Sequence, residues 1–176
     1  SRLSAYALER SWVDKDPRLC VTYSAYLHIL LRRIPLVVVL REPLAVAASL
    51  YARNGFSLNR GLVLWWIYNH HIASQLGVED LLVPYRALLN LDEQNLQQWL
   101  APFLERHQHA RPSQDRARAL ITSLMRPELN RADAALGIEI RSHLNPLLLE
   151  SCEHAYKNII QASDQLTSFR ECLNSL

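Results

Sequence analysis

Residues 35–49 read PLVVVLREPLAVAAS, and their reading decides the fold. Leu36-Val37-Val38-Val39-Leu40 is apolar, rich in β-branched residues and too short for an independent helix. Such a run predicts a buried strand of the kind found inside a parallel sheet. It stops on Arg41, and Pro43 follows two residues later. Pro43 suits the first turn of a helix, where its missing N–H costs nothing. The Ala-rich stretch Leu44 to Leu50 then continues as that helix. A strand therefore carries an arginine to its C-terminal tip and a helix begins at once, the place where open α/β sheets bind ligands. Ser49 falls on the second turn. A guanidinium and a hydroxyl so placed can hold one phosphate between them. The competing structural reading pairs Arg41 with Glu42 or another neighbouring acid and turns Ser49 onto its own helix backbone.

Outward from this stretch, helix and strand patterns alternate. Residues 3–10 read as the tail of a helix, and Trp12 to Arg18 as a short extended piece stopped by Pro17. Arg18 to Thr22 is ambiguous; Ser24 to Arg33 predicts a helix with Tyr26, Leu27, Leu30 and Leu31 on one side. Asn54-Gly55 is a helix stop, and Ser57 an N-cap for a long helix from Leu58 to Gln75, closed by Gly77. Glu79 to Tyr85 is the next strand candidate. Asp92 caps a helix to about Glu105, with Leu96, Trp99, Leu100 and Phe103 as its core stripe. This alternation predicts βαβ units with a parallel sheet, although three visible strands are few. Residues 1–106 thus read as an α/β core. His107 to Gln114 is polar and linker-like. Residues 107–176 read as a helical extension packed on the same domain, with helices about Asp115–Met125, Pro127–Leu136 and Asn145–Gln161.

Composition excludes several classes. With 19 basic and 17 acidic residues the net charge is +2, which is not the footprint of a nucleic-acid binder. Three widely spaced cysteines (Cys20, Cys152 and Cys172) suggest neither a disulfide framework nor a metal site, and point to a reducing, cytoplasmic compartment. Charged residues interrupt every apolar segment, so no membrane span is expected. The four glycines (Gly55, Gly61, Gly77 and Gly137) form no phosphate-cradling loop between a strand and a helix. His70-His71 lack ligand partners at helical spacing, and Arg106, Arg111, Arg116 and Arg118 read as a solvated face.

Lys15-Asp16-Pro17-Arg18, the segment PLVVVLREPLAVAASL and Asn54-Gly55-Phe56-Ser57 together resemble the PAPS (3′-phosphoadenosine-5′-phosphosulfate)-dependent sulfotransferases. The bacterial and carbohydrate-type members are nearest. The resemblance spans roughly residues 12–104. It implies a P-loop-like α/β fold in which Arg41 and Ser49 hold the 3′-phosphate of PAPS. It places Tyr85, at the head of Tyr85-Arg86-Ala87-Leu88, against the adenine, and Lys15 beside the transferring sulfuryl group as the catalytic residue. The acceptor is then a hydroxyl or amine of a glycan or small metabolite, and no metal is needed. The family's 5′-phosphosulfate loop belongs before residue 12, which implies the C-terminal part of a sulfotransferase. The alternative is an inactive member acting as a nucleotide-binding or interaction module. Whether the chain forms a homo-oligomer stays open.

Overall fold

The Leu36–Leu40 run does form a strand, β1 (Val37–Leu40), but not the buried one expected, because with a single partner strand Val37 and Val39 stay about half exposed; Leu81–Pro84 forms β2. The two pair in parallel, Val37 opposite Leu81 and Leu40 opposite Pro84. The computed structural model describes residues 13–89, 93–107, 113, 115, 119 and 143–174. Along these residues the order is α1 (Leu19–Leu30), β1, α2 (Pro43–Asn54), α3 (Leu58–Ala73), β2, α4 (Tyr85–Leu89), α5 (Glu93–Arg106) and α6 (Pro146–Asn174). The chain is mostly helical with a small two-stranded parallel sheet, an α/β arrangement in the broad sense. The predicted helix at residues 3–10, the cap Asp92 and, apart from residues 115 and 119, the two helices expected between residues 115 and 136 lie outside the described residues.

Local signals set the middle of the chain. Pro43 opens α2, and Gly55 ends it with φ 67°, the left-handed conformation a glycine adopts without strain. Ser57 then caps α3 as expected, its Oγ accepting from Arg60 N at 3.3 Å. Leu58, Leu62, Trp65 and Ile72 form the buried side of α3 at helical spacing. Gly61 lets α2 and α3 touch backbone to backbone: a Cβ there would stand 2.7 Å from Ala47 Cα. Leu40, Ala47, Leu58, Leu62, Trp65 and Cys152 make the core, with Leu148, Leu149 and Ile159 of α6 packed against it. Asn145 caps α6, its Oδ1 accepting from Leu148 N at 3.2 Å. The Asn59 amide ties that end to α3, donating to His143 O and accepting from Asn145 N.

Two further expectations need correction. The extended piece before Pro17 joins no sheet, so two strands stand where three were expected among the described residues. Its polar groups are satisfied locally: Tyr26 Oη donates to Asp14 at 2.7 Å, and Arg18 bonds Asp16 from both backbone and guanidinium. The helix expected from Ser24 begins at Leu19, supported by the Thr22 hydroxyl donating to Arg18 O at 3.0 Å. It also ends before Leu31, which has φ 52° and is 89% exposed, while Tyr23 is the buried residue. His107 forms the turn that ends α5, its ring edge-on to Phe103 at 4.7 Å, and of the linker candidate beyond it only Ser113 is among the described residues.

A polar clamp holds the N-terminal ends of the strands. Asp80 is 3% exposed. Its Oδ1 accepts from Leu36 N at 2.9 Å and its Oδ2 from Gly77 N at 2.8 Å, and Arg33 pairs with the same carboxylate. Arg33 also donates to Gln75 O at 2.8 Å, which joins the end of α3 to the start of β1. Among the described residues no helix is long and apolar enough to cross a membrane.

Two substitutions test this frame. Asp80→Ala strands Arg33 and two backbone donors, and lowers the unfolding free energy by about 3–5 kcal/mol in urea titration. Gly61→Val drives methyl groups into Ala47 and lowers it by about 1–3 kcal/mol in the same measurement.

Candidate functional site

The strand register ends at Leu40 opposite Pro84, so the next residues, Arg41 and Tyr85, leave the sheet side by side. The Arg41 guanidinium carbon lies 4.4 Å from the centre of the Tyr85 ring, a cation–π contact. The Arg41 backbone is held as well. Trp65 Nε1, from the buried side of α3, donates to Arg41 O at 2.8 Å. Arginine and tyrosine, distant in sequence, thus meet where the two strands end.

Glu42 and Arg86 follow in the same order and form an ion pair across the two tips. Glu42, one of the partners that the competing reading offered to Arg41, is thus engaged by Arg86. Adjacent residues leaving an extended chain point opposite ways, so each finds its partner across the tip rather than beside it. Arg86 is 76% exposed in this pair and Glu42 23%. Tyr156 of α6 stands close by, its ring 6.5 Å from that of Trp65. Burial pushes the Tyr156 phenol up, the negative charge of Glu42 adds to the shift, and Arg86 opposes it.

Ser49 is half-buried on α2. Seven residues of helix separate it from Glu42, about 10 Å of rise along the same face. Among the described residues no hydrogen bond joins it to Arg41. Lys15 is exposed on the segment before α1, and no described contact links it to the strand tips. Its neighbours are engaged elsewhere, Asp14 with Tyr26 and Asp16 with Arg18. Hydrogen bonds from Arg18 hold the Asp16 carboxyl down to about 2, so it stays charged beside Lys15.

A concavity of ≈ 270 Å³ runs between α3 and α6, away from the strand tips, lined by Trp65, Trp66, His70, Ser151, His154 and Asn158 among others. Trp66 and His70 stack in parallel at 5.8 Å. Neither His70 nor His71 is buried. Sequence reading missed the roles of Trp65, Glu42, Arg86 and Tyr156. The Leu58, Leu62, Trp65 spacing carried a signal for the first; the others depend on contacts between distant elements.

Comparison with family models, with curated proteins and with solved structures gave no match.

The Arg41–Tyr85 contact is readable in solution. The Nε–Hε resonance of Arg41 is expected to be shifted by the ring current in the wild type and in Tyr85→Phe. In Tyr85→Ala it moves to the position of an ordinary arginine in a proton–nitrogen correlation spectrum.

Proposed function

We propose that the strand tips bind the 3′-phosphate end of PAPS, and that the chain serves transfer of a sulfuryl group to a hydroxyl or amine of a carbohydrate or small metabolite. One observation carries this reading. The parallel register brings together Arg41 and Tyr85, two residues that the resemblance assigns to the same donor molecule. The fit is chemical: a guanidinium edge matches phosphate oxygens in a two-point fork, and a phenol ring offers a flat apolar face to a base. The two-stranded sheet with its helical crossover is read, on this proposal, as part of a P-loop-like sulfotransferase core.

In this reading Arg41 and Ser49 anchor the donor's far end and so orient its reacting end. Ser49 contributes once the Arg41 side chain turns along α2. Lys15 is assigned to stabilising charge on the transferring group, reached from its exposed segment. PAPS itself supplies an activated sulfuryl group, whose transfer resembles phosphoryl transfer in relying on electrostatic positioning. A second reading keeps the nucleotide site without catalysis, as a binding or interaction module. The half-exposed Val37 and Val39 on β1 favour it, because they leave apolar strand surface for another segment to cover.

Calorimetric titration with adenosine 3′,5′-bisphosphate tests the proposal. The wild type binds, and Arg41→Ala weakens binding by about ten- to hundredfold. Equal affinity in the two proteins removes Arg41 from the site, and no heat from the wild type removes the donor. Turnover of PAPS with an acceptor separates the enzyme from the module.

A further inference from the structure

We propose that Arg86 is the second anion-binding residue of the strand-tip site and that Glu42 is a built-in competitor which a bound phosphate displaces. The proposal rests on the phosphate-binding reading of Arg41. The register sets out two cross-tip pairs in order, Arg41 with Tyr85 and then Glu42 with Arg86. The first pair engages one guanidinium by its face, and the edge of a guanidinium is the part that suits oxygen ligands. The second pair already holds an arginine–carboxylate contact, with Glu42 Oε1 against Arg86 Nε. A carboxylate oxygen at that nitrogen occupies the position a phosphate oxygen takes on an arginine.

The two partners are unequal. Glu42 is mostly covered at the mouth of α2, whereas Arg86 is largely open to solvent. Glu42 makes no side-chain cap to α2, so its carboxylate is not tied into the helix. Exposed ion pairs hold weakly, because water screens them and ordering a long side chain opposes them. A phosphate dianion brings more charge and more acceptor atoms than a carboxylate, and takes Arg86 from Glu42. Arg86, 76% exposed, leaves a ligand to approach it from the solvent side. Glu42 then sets a threshold: singly charged anions compete with it poorly, and multiply charged phosphates win.

The test uses the 176-residue chain as wild type, Glu42→Gln, Arg86→Ala and the double variant. Each is titrated calorimetrically with adenosine 3′,5′-bisphosphate and, separately, with inorganic pyrophosphate, and thermal midpoints are recorded to check folding. Glu42→Gln binds about tenfold tighter, Arg86→Ala about tenfold weaker, and the gain from Glu42→Gln disappears in the Arg86→Ala background. A gain that survives without Arg86 is a diffuse charge effect and overturns the proposal, as does unchanged or weaker binding by Glu42→Gln. If no protein binds the nucleotide but pyrophosphate follows the same pattern, the donor reading falls and the Glu42–Arg86 device stands. If neither probe binds any of the four proteins, both fall.

Discussion

The parallel register between β1 and β2 is the constraint on which the rest depends, and Asp80 sets it. A buried carboxylate at the N-terminal ends of the strands accepts from Leu36 N on one side and Gly77 N on the other, with Arg33 neutralising it. Removing one partner of such a group leaves a buried charge uncompensated, so the clamp tolerates little displacement. A one-residue slip would turn Leu40 out of the core and Val39 into it. It would also separate Arg41 from Tyr85. The site at one end of the sheet is thus determined by polar chemistry at the other.

Much of the frame was legible in the sequence because the informative residues act on their own backbone. Pro43, Gly55 and Ser57 bound their helices through φ, the left-handed cap and a side-chain acceptor, and each does so where expected. Arg41 and Tyr85 were legible as strand-tip residues for the same reason: the end of an apolar run marks where a side chain leaves the sheet. Asp80 was not legible, since nothing near it in sequence announces that Arg33 and Leu36 arrive from another element. The Glu42–Arg86 pair was not legible either, since its two members arrive from the ends of different strands. Leu31 was placed on the α1 stripe by periodicity alone, but the helix had already ended.

At the strand tips, charge and packing divide the work. Trp65 spends its one donor on the Arg41 carbonyl, so a core residue fixes the position from which the guanidinium reaches out. Tyr85 restricts the guanidinium by its face. Arg86 and Glu42 answer each other with opposite charge, which keeps a region of two arginines from accumulating unbalanced repulsion in the ligand-free protein. Proposed as a phosphate site, this arrangement has a fixed backbone at Arg41 and an adjustable ion pair at Arg86.

The central claim is that a phosphate-bearing nucleotide docks at the C-terminal tips of β1 and β2. Backbone amide shifts recorded while adenosine 3′,5′-bisphosphate is added to the labelled chain test it most directly. The account predicts perturbations centred on Arg41, Glu42, Ser49, Tyr85 and Arg86. Perturbations centred instead on the Trp66, His70 and His154 groove between α3 and α6, or none at saturating nucleotide, contradict it.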